Sequence, residues 1–193
     1  GYQALDAAAL SDNNTAIGHQ ALSALNSNNA TGNNVALGYQ AGLILHHATT
    51  AIDNVIIGSG AAAASTTVGS SVIIGKGAVG TGTTLTAADG SVAIGAGAAA
   101  ALTIGAGTTV VGFQAGAALT EGLGNTAVGY QALLTEDAHG DQNTAIGYQA
   151  LKVMNADTNT HGQNTAVGWS AGVAITTGIK NTCLGASAGD ALT

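Results

Sequence analysis

The 193-residue chain holds 30 Gly and no Pro, with 3 basic residues against 10 carboxylates and a net charge of -7. Nucleic-acid binding draws on clustered Lys and Arg, which this composition lacks. No apolar run approaches the roughly 18–20 residues of a spanning helix, so no membrane insertion is expected.

A repeated phrase organises the chain. Asn14-Thr-Ala-Ile-Gly-His-Gln-Ala-Leu22 returns as Asn34-Val-Ala-Leu-Gly-Tyr-Gln-Ala-Gly42 and as Asn143-Thr-Ala-Ile-Gly-Tyr-Gln-Ala-Leu151. Its anchor glycines are Gly18, Gly38, Gly58, Gly75, Gly95, Gly112, Gly129, Gly147, Gly168 and Gly185, spaced 17 to 21 residues apart. Self-similarity at such a period marks a stacked array. Residues 1–193 therefore read as a single repeat array of about eleven coils, the first of them partial (Gly1-Tyr-Gln-Ala-Leu5). The start in mid-phrase suggests a segment of a longer fibre.

The predicted elements follow the anchors in chain order. A strand of about four residues precedes each anchor, because the phrase is short, β-branched and bounded by Gly, Asn and Ser. Strands begin at Asn14, Asn34, Asn54, Ser71, Ser91, Thr108, Asn125, Asn143, Asn164 and Asn181. These small polar side chains start strands through Asx and Ser/Thr turns and form ladders between stacked coils. A branched apolar residue stands just before every anchor, from Ile17 and Leu37 to Ile146 and Leu184. Ala fills the third place after it without exception, as in Ala21, Ala132 and Ala150, which predicts a close packing contact.

Each unit is expected to continue through a Gly corner into a second short strand and then a variable linker. The linkers, such as Leu43–Asp53, Thr81–Gly90 and Thr135–Gln142, hold nearly all the charges and are expected to face solvent. Stacking at about 4.8 Å makes a rod roughly 50 Å long. One branched residue and one Ala per coil give a thin core. Strands such as Val55-Ile56-Ile57 and Val72-Ile73-Ile74 are apolar on both faces, so both faces need cover. The expectation is an all-β parallel β-roll or β-helix that covers its second face with copies of itself, a homotrimer by preference. A monomeric β-helix is the structural alternative.

The phrase Asn-Thr-Ala-(Ile/Val)-Gly-Tyr-Gln-Ala, with the variant Ser91-Val-Ala-Ile-Gly-Ala-Gly-Ala98, resembles the repeats of YadA-like heads of trimeric autotransporter adhesins. It is equally similar to related repeats of bacteriophage tail fibres. The likeness covers essentially the whole chain. It implies a trimer of left-handed parallel β-rolls, a rigid stalk or head that contacts a host surface. Adhesin head repeats are usually shorter, and the Gly-Tyr-Gln-Ala form dominates here, which favours a phage fibre over a bacterial adhesin. Either parent implies an extracellular location, on a virion tail fibre or a bacterial cell surface. The implied partners are the chain itself and a host-surface glycan or protein receptor.

Residues with chemistry of their own are few. Gly75-Lys-Gly-Ala-Val-Gly80 matches G-x-G-x-x-G, but Thr81-Gly-Thr-Thr-Leu-Thr follows it where a dinucleotide site needs a helix. Its glycines occupy repeat columns. Glu136-Asp137-Ala-His139-Gly-Asp141 lacks the spacing of a calcium loop and reads as a solvated linker. His46 and His47 are adjacent, so on an extended segment they point apart and cannot share one metal. Cys183 takes a column of Ala and is expected to be buried and inert.

The column just after the anchor holds Tyr2, His19, Tyr39, Phe113, Tyr130, Tyr148 and Trp169. Tyr39, Phe113, Tyr130, Tyr148 and Trp169 are candidates for stacking on surface glycans; the alternative is a packing ladder. The structural columns are represented by Asn14, Ile17, Gly18, Ala21, Asn143, Ile146, Gly147 and Ala150.

No Ser-His-Asp constellation and no opposed carboxylate pair is apparent, so neither an enzyme nor a depolymerase is expected, and no metal or cofactor. Ice binding needs an unbroken Thr ladder. The column of Thr15, Thr109, Thr126, Thr144, Thr165 and Thr182 is interrupted by Val35, Val55, Val72 and Val92. That interruption ranks a monomeric ice- or glycan-binding solenoid below the fibre, as a further alternative.

Overall fold

The computed structural model describes residues 1–7, 13–25, 32–45, 51–80, 89–135, 141–154 and 162–192. Among these residues lie ten three-residue strands: β1 (Thr15–Ile17), β2 (Val35–Leu37), β3 (Val55–Ile57), β4 (Val72–Ile74), β5 (Val92–Ile94), β6 (Thr109–Val111), β7 (Thr126–Val128), β8 (Thr144–Ile146), β9 (Thr165–Val167) and β10 (Thr182–Leu184). All ten form one parallel sheet in strict chain order. Equivalent positions face each other throughout, as in Ala16↔Ala36, Ile56↔Ile73 and Val128↔Ile146. In-register parallel pairing of consecutive units is a β-solenoid.

The anchor glycines set where each strand stops. At Gly58 the φ is +133°, and a Cβ there would lie 2.5 Å from the Gly75 carbonyl oxygen of the next coil. Only Gly accepts both that backbone angle and that approach. Beyond it the expected second strand is absent. The segment is a run of turns, because left-handed residues alternate with others: Gln20 (φ 56°) and Leu22 (φ 50°), or Gln131 (φ 52°) and Leu133 (φ 51°). An extended strand tolerates no such alternation.

The core is also not where the apolar pattern first places it. Strands β2 to β10 bury their middle residue and turn both ends outward, and in β1 the middle residue Ala16 is half-buried. The branched residue before the anchor therefore lies outside, and Ile17 is 57% and Leu184 77% exposed. Four other columns fill the interior: the strand middles (Ala36, Ile56, Val110), the strict Ala column (Ala21, Ala132, Ala150), the next position (Leu22, Leu133, Leu151) and a position three further on (Leu25, Leu45, Leu119, Ile175).

That last column lies inside the linkers, so these do not simply face solvent. Among the described residues Leu25, Leu45, Leu102, Leu119, Met154 and Ile175 return a large side chain to the core in this column, and one coil places the small Ser65 there instead. Volume is traded between columns. Where Gly42 stands, a Cβ would meet Leu22 Cδ2 at 2.8 Å, Leu45 Cδ1 at 3.1 Å and Ile56 Cδ1 at 3.2 Å, so neighbouring coils have already filled the space.

Coil closure rests on the polar column at the strand entry. Asn34 N–H donates to Asn14 Oδ1 at 3.0 Å, Asn54 N–H to Asn34 Oδ1 at 3.1 Å, and Asn164 N–H to Asn143 Oδ1 at 2.9 Å. The side chains also donate to the returning linker: Asn34 Nδ2 to Ala51 O, Asn54 Nδ2 to Val68 O, Thr108 Oγ1 to Gly122 O and Asn164 Nδ2 to Gly178 O, at 2.6–2.9 Å. In all four the acceptor sits three residues before the next ladder residue, whether the coil has 17 or 20 residues. Asn34, Asn54, Thr108, Asn143 and Asn164 are fully buried, and hydrogen bonding of this kind offsets the cost of burying them.

Candidate functional site

Among the described residues the interior is packed, and the outward columns present the exposed side chains. One is the branched column before the anchors. It runs through all ten strands as Ile17, Leu37, Ile57, Ile74, Ile94, Val111, Val128, Ile146, Val167 and Leu184, since strand register stacks each on the last. Beside it, across the buried strand middle, runs a column of Thr and Val. Val35, Val55, Val72 and Val92 make strands β2 to β5 apolar at both outward positions.

Just past the Gly bend lies the aromatic column. Its rings stack on one another along the rod. Phe113, Tyr130, Tyr148 and Trp169 form one stack, with centroids 5.5, 5.1 and 6.1 Å apart and planes within 10° of parallel. Tyr2, His19 and Tyr39 form another, at 5.5 and 5.4 Å. This geometry divides the five candidate glycan residues. Tyr130 and Tyr148 carry a ring against both faces and offer only edges and hydroxyls. Tyr39, Phe113 and Trp169 each end a stack among the described residues and have one face without a ring partner.

A second ladder beside the aromatic one was not singled out in the sequence, although the signal was present in the strict Tyr-Gln pairing of the phrase. Gln20 Nε2 donates to Gln3 Oε1 at 3.0 Å and Gln40 Nε2 to Gln20 Oε1 at 2.9 Å. Gln131 Nε2 donates to Gln114 Oε1 and Gln149 Nε2 to Gln131 Oε1, at 2.9 and 3.0 Å. Both ladders stop over the same three coils. There the aromatic column holds Ser59, Lys76 and Ala96, and the Gln column holds Gly60, Gly77 and Gly97.

The remaining candidates are structural or lie elsewhere. Asn143, Ala21 and Ala150 are fully buried, and Gly18 and Gly147 occupy the corner with φ of 134° and 136°. Asn14 accepts the Asn34 N–H. Ile17 and Ile146 belong to the outward branched column. Cys183 is buried and carries no disulfide. Gly75 of the G-x-G-x-x-G match is an anchor with φ of 137°.

Asp141 is 7% exposed, and its Oδ1 accepts the Leu123 N–H at 2.6 Å, which ties it to the coil before. Glu136, Asp137, His139, His46 and His47 lie outside the described residues. Among the described residues no group of three or more His, Cys, Asp or Glu is placed to hold a metal, and no helix is long and apolar enough to cross a membrane. No protein-family model matches the chain, and no curated protein or solved structure compared with it does either.

Proposed function

We propose that the chain is a shaft or head segment of a trimeric surface appendage that attaches to a host cell surface, a phage tail fibre in preference to the head of a bacterial trimeric adhesin. The observation that carries this reading is the outward branched column. The coils are already closed and filled without it, yet all ten strands keep a branched apolar residue there. A lone soluble protein rarely exposes a contiguous apolar strip of such length. Copies of the same chain, parallel and in register around a common axis, cover it rung for rung, which closed cyclic symmetry allows. The preference for three copies, and for left-handed winding, comes from the resemblance to YadA-like repeats.

In this reading the rod acts by stiffness and spacing and carries out no catalysis. The aromatic column supplies its contact with a host-surface glycan. A solution mass of three times the 18.4 kDa chain, measured by light scattering, is the expected result. A mass equal to one chain at micromolar concentration overturns the trimer. Incubation with host polysaccharide is expected to release no oligosaccharide, and release would move the chain to the depolymerases. A monomeric ice-binding solenoid requires the same face to stay uncovered and predicts thermal hysteresis, which the trimer does not.

A further inference from the structure

The coincident break in the two outward ladders points to a bounded site. Four coil steps separate Tyr39 from Phe113, with Ser59, Lys76 and Ala96 on the rungs between them. The backbone confirms this succession: Gly60 N–H donates to Tyr39 O, Gly77 N–H to Ser59 O, Gly97 N–H to Lys76 O and Gln114 N–H to Ala96 O, all at 2.8–3.0 Å. At about 4.8 Å per step the two rings face each other across about 19 Å. Tyr39 and Phe113 are 52% and 49% exposed, more than the sandwiched Tyr130 (41%) and Tyr148 (42%), as expected of rings with one uncovered face. The floor is stripped of Gln side chains. At Gly60 an added Cβ would meet nothing within 4 Å.

Lys76 stands at the middle of this notch, exposed, and is one of only 3 basic residues in a chain of net charge -7. It is two coil steps, about 10 Å, from either wall. A sugar lying flat on one wall takes up about half of that distance, which brings its substituents within reach of a Lys stem.

We infer that the notch between Tyr39 and Phe113 binds an acidic saccharide, with a sugar face stacked on either ring and its carboxylate paired with the Lys76 ammonium. Ring stacking supplies the apolar contact, and the ammonium supplies the charge-assisted hydrogen bond. Neither needs the backbone to move. The inference rests on the glycan-contact reading of the aromatic column and narrows it to one place and one class of sugar.

The test is isothermal titration of the intact chain with a hexamer of mannuronate and, separately, with neutral maltohexaose. The mannuronate hexamer is expected to bind more tightly, and Lys76→Gln is expected to lower its affinity at least tenfold and to abolish the preference. Ser59→Tyr and Ala96→Tyr extend the two stacks into the notch. Both are expected to block binding while holding or raising the melting temperature, which separates a closed site from a misfolded chain. Lys180→Gln, an exposed basic residue outside the notch, is expected to leave binding unchanged. Equal losses in Trp169→Ala and the notch variants would place sugars along the whole column, overturning the notch but keeping glycan contact. No binding of either hexamer by the unaltered chain would overturn both. Unchanged affinity in Lys76→Gln or Ala96→Tyr would overturn the notch alone.

Discussion

The corner glycine is the residue on which the stack depends most directly. At Gly112, φ is +140°, and an added Cβ would run into the Gly129 carbonyl of the neighbouring coil. Replacing it combines a backbone angle that L residues avoid with a clash against main chain that cannot swing away. Gly112→Ala is therefore expected to cost on the order of 3 kcal/mol. Chemical denaturation should show this as an earlier midpoint, and an unchanged midpoint would contradict the close approach. Glycine is not the only residue with positive φ. Leu22, Val79, Leu133 and Leu151 take φ of 47–51°, where a bulky residue is a genuine outlier. Each of them is fully or almost fully buried, and burying such a side chain contributes about 1.5–3 kcal/mol, comparable with the strain.

At the scale of the element, polar side chains at the strand entry tie neighbouring coils together, and those of Asn34, Asn54, Ser91, Thr108 and Asn164 also hold the returning linker. Asn143 Oδ1 accepts both the N–H and, at 3.2 Å, the Nδ2 of Asn164. Asn143→Ala leaves a buried N–H without its acceptor and is expected to destabilise the chain by about 1–3 kcal/mol. Asn143→Ser should recover part of this, because Ser71 Oγ already accepts the Ser91 N–H at 3.2 Å in the same column. Thermal melts of the two variants decide the point, and equal melting temperatures for Ala and Ser would contradict a hydrogen-bonding role.

Much of this level was legible in the sequence. Every coil repeats Gly at the corner, Ala three places on and Asn, Ser or Thr four places before, so register and strand position follow from counting. The direction of the side chains was not legible. In Thr-Ala-Ile the most apolar residue looks like the core residue, and three residues are too few for alternation to correct that impression. Ala16 packs against the core while Ile17 turns outward, and propensity gives no warning that Leu22 will adopt a left-handed angle. The core partners lie at the start of the linkers, where Leu25, Met154 and Ile175 each stand seven residues after their anchor in a column that Ser65 interrupts. The notch was hidden for a related reason: Ser59, Lys76 and Ala96 look like mere imperfections of the repeat until the rings on either side are seen to stack.

At the scale of the whole molecule, the proposed trimer rests on the outward branched column, which the fold of a single chain leaves outside its core. A charge placed there meets solvent in a single chain but a like charge in each copy of a parallel assembly. Ile57→Asp and Ile146→Asp are expected to reduce the solution mass to that of one chain while leaving the β-sheet signal in circular dichroism intact. Loss of both signals together would mean that the coil cannot stand alone, and retention of the multimer would place the contact elsewhere.

The tie between each ladder side chain and the carbonyl three residues before the next has a consequence for measurement along the rod. Because Asn34 closes a 20-residue coil in the same way that Thr108 closes a 17-residue one, height does not depend on how many residues a turn contains. The chain is a ruler graduated in rungs. Excising one whole repeat should shorten it by about 4.8 Å, whereas trimming a long linker to the shorter length should leave its reach untouched. Distance can thus be altered by duplication or loss of complete graduations, while the loops between them are free to change sequence and size.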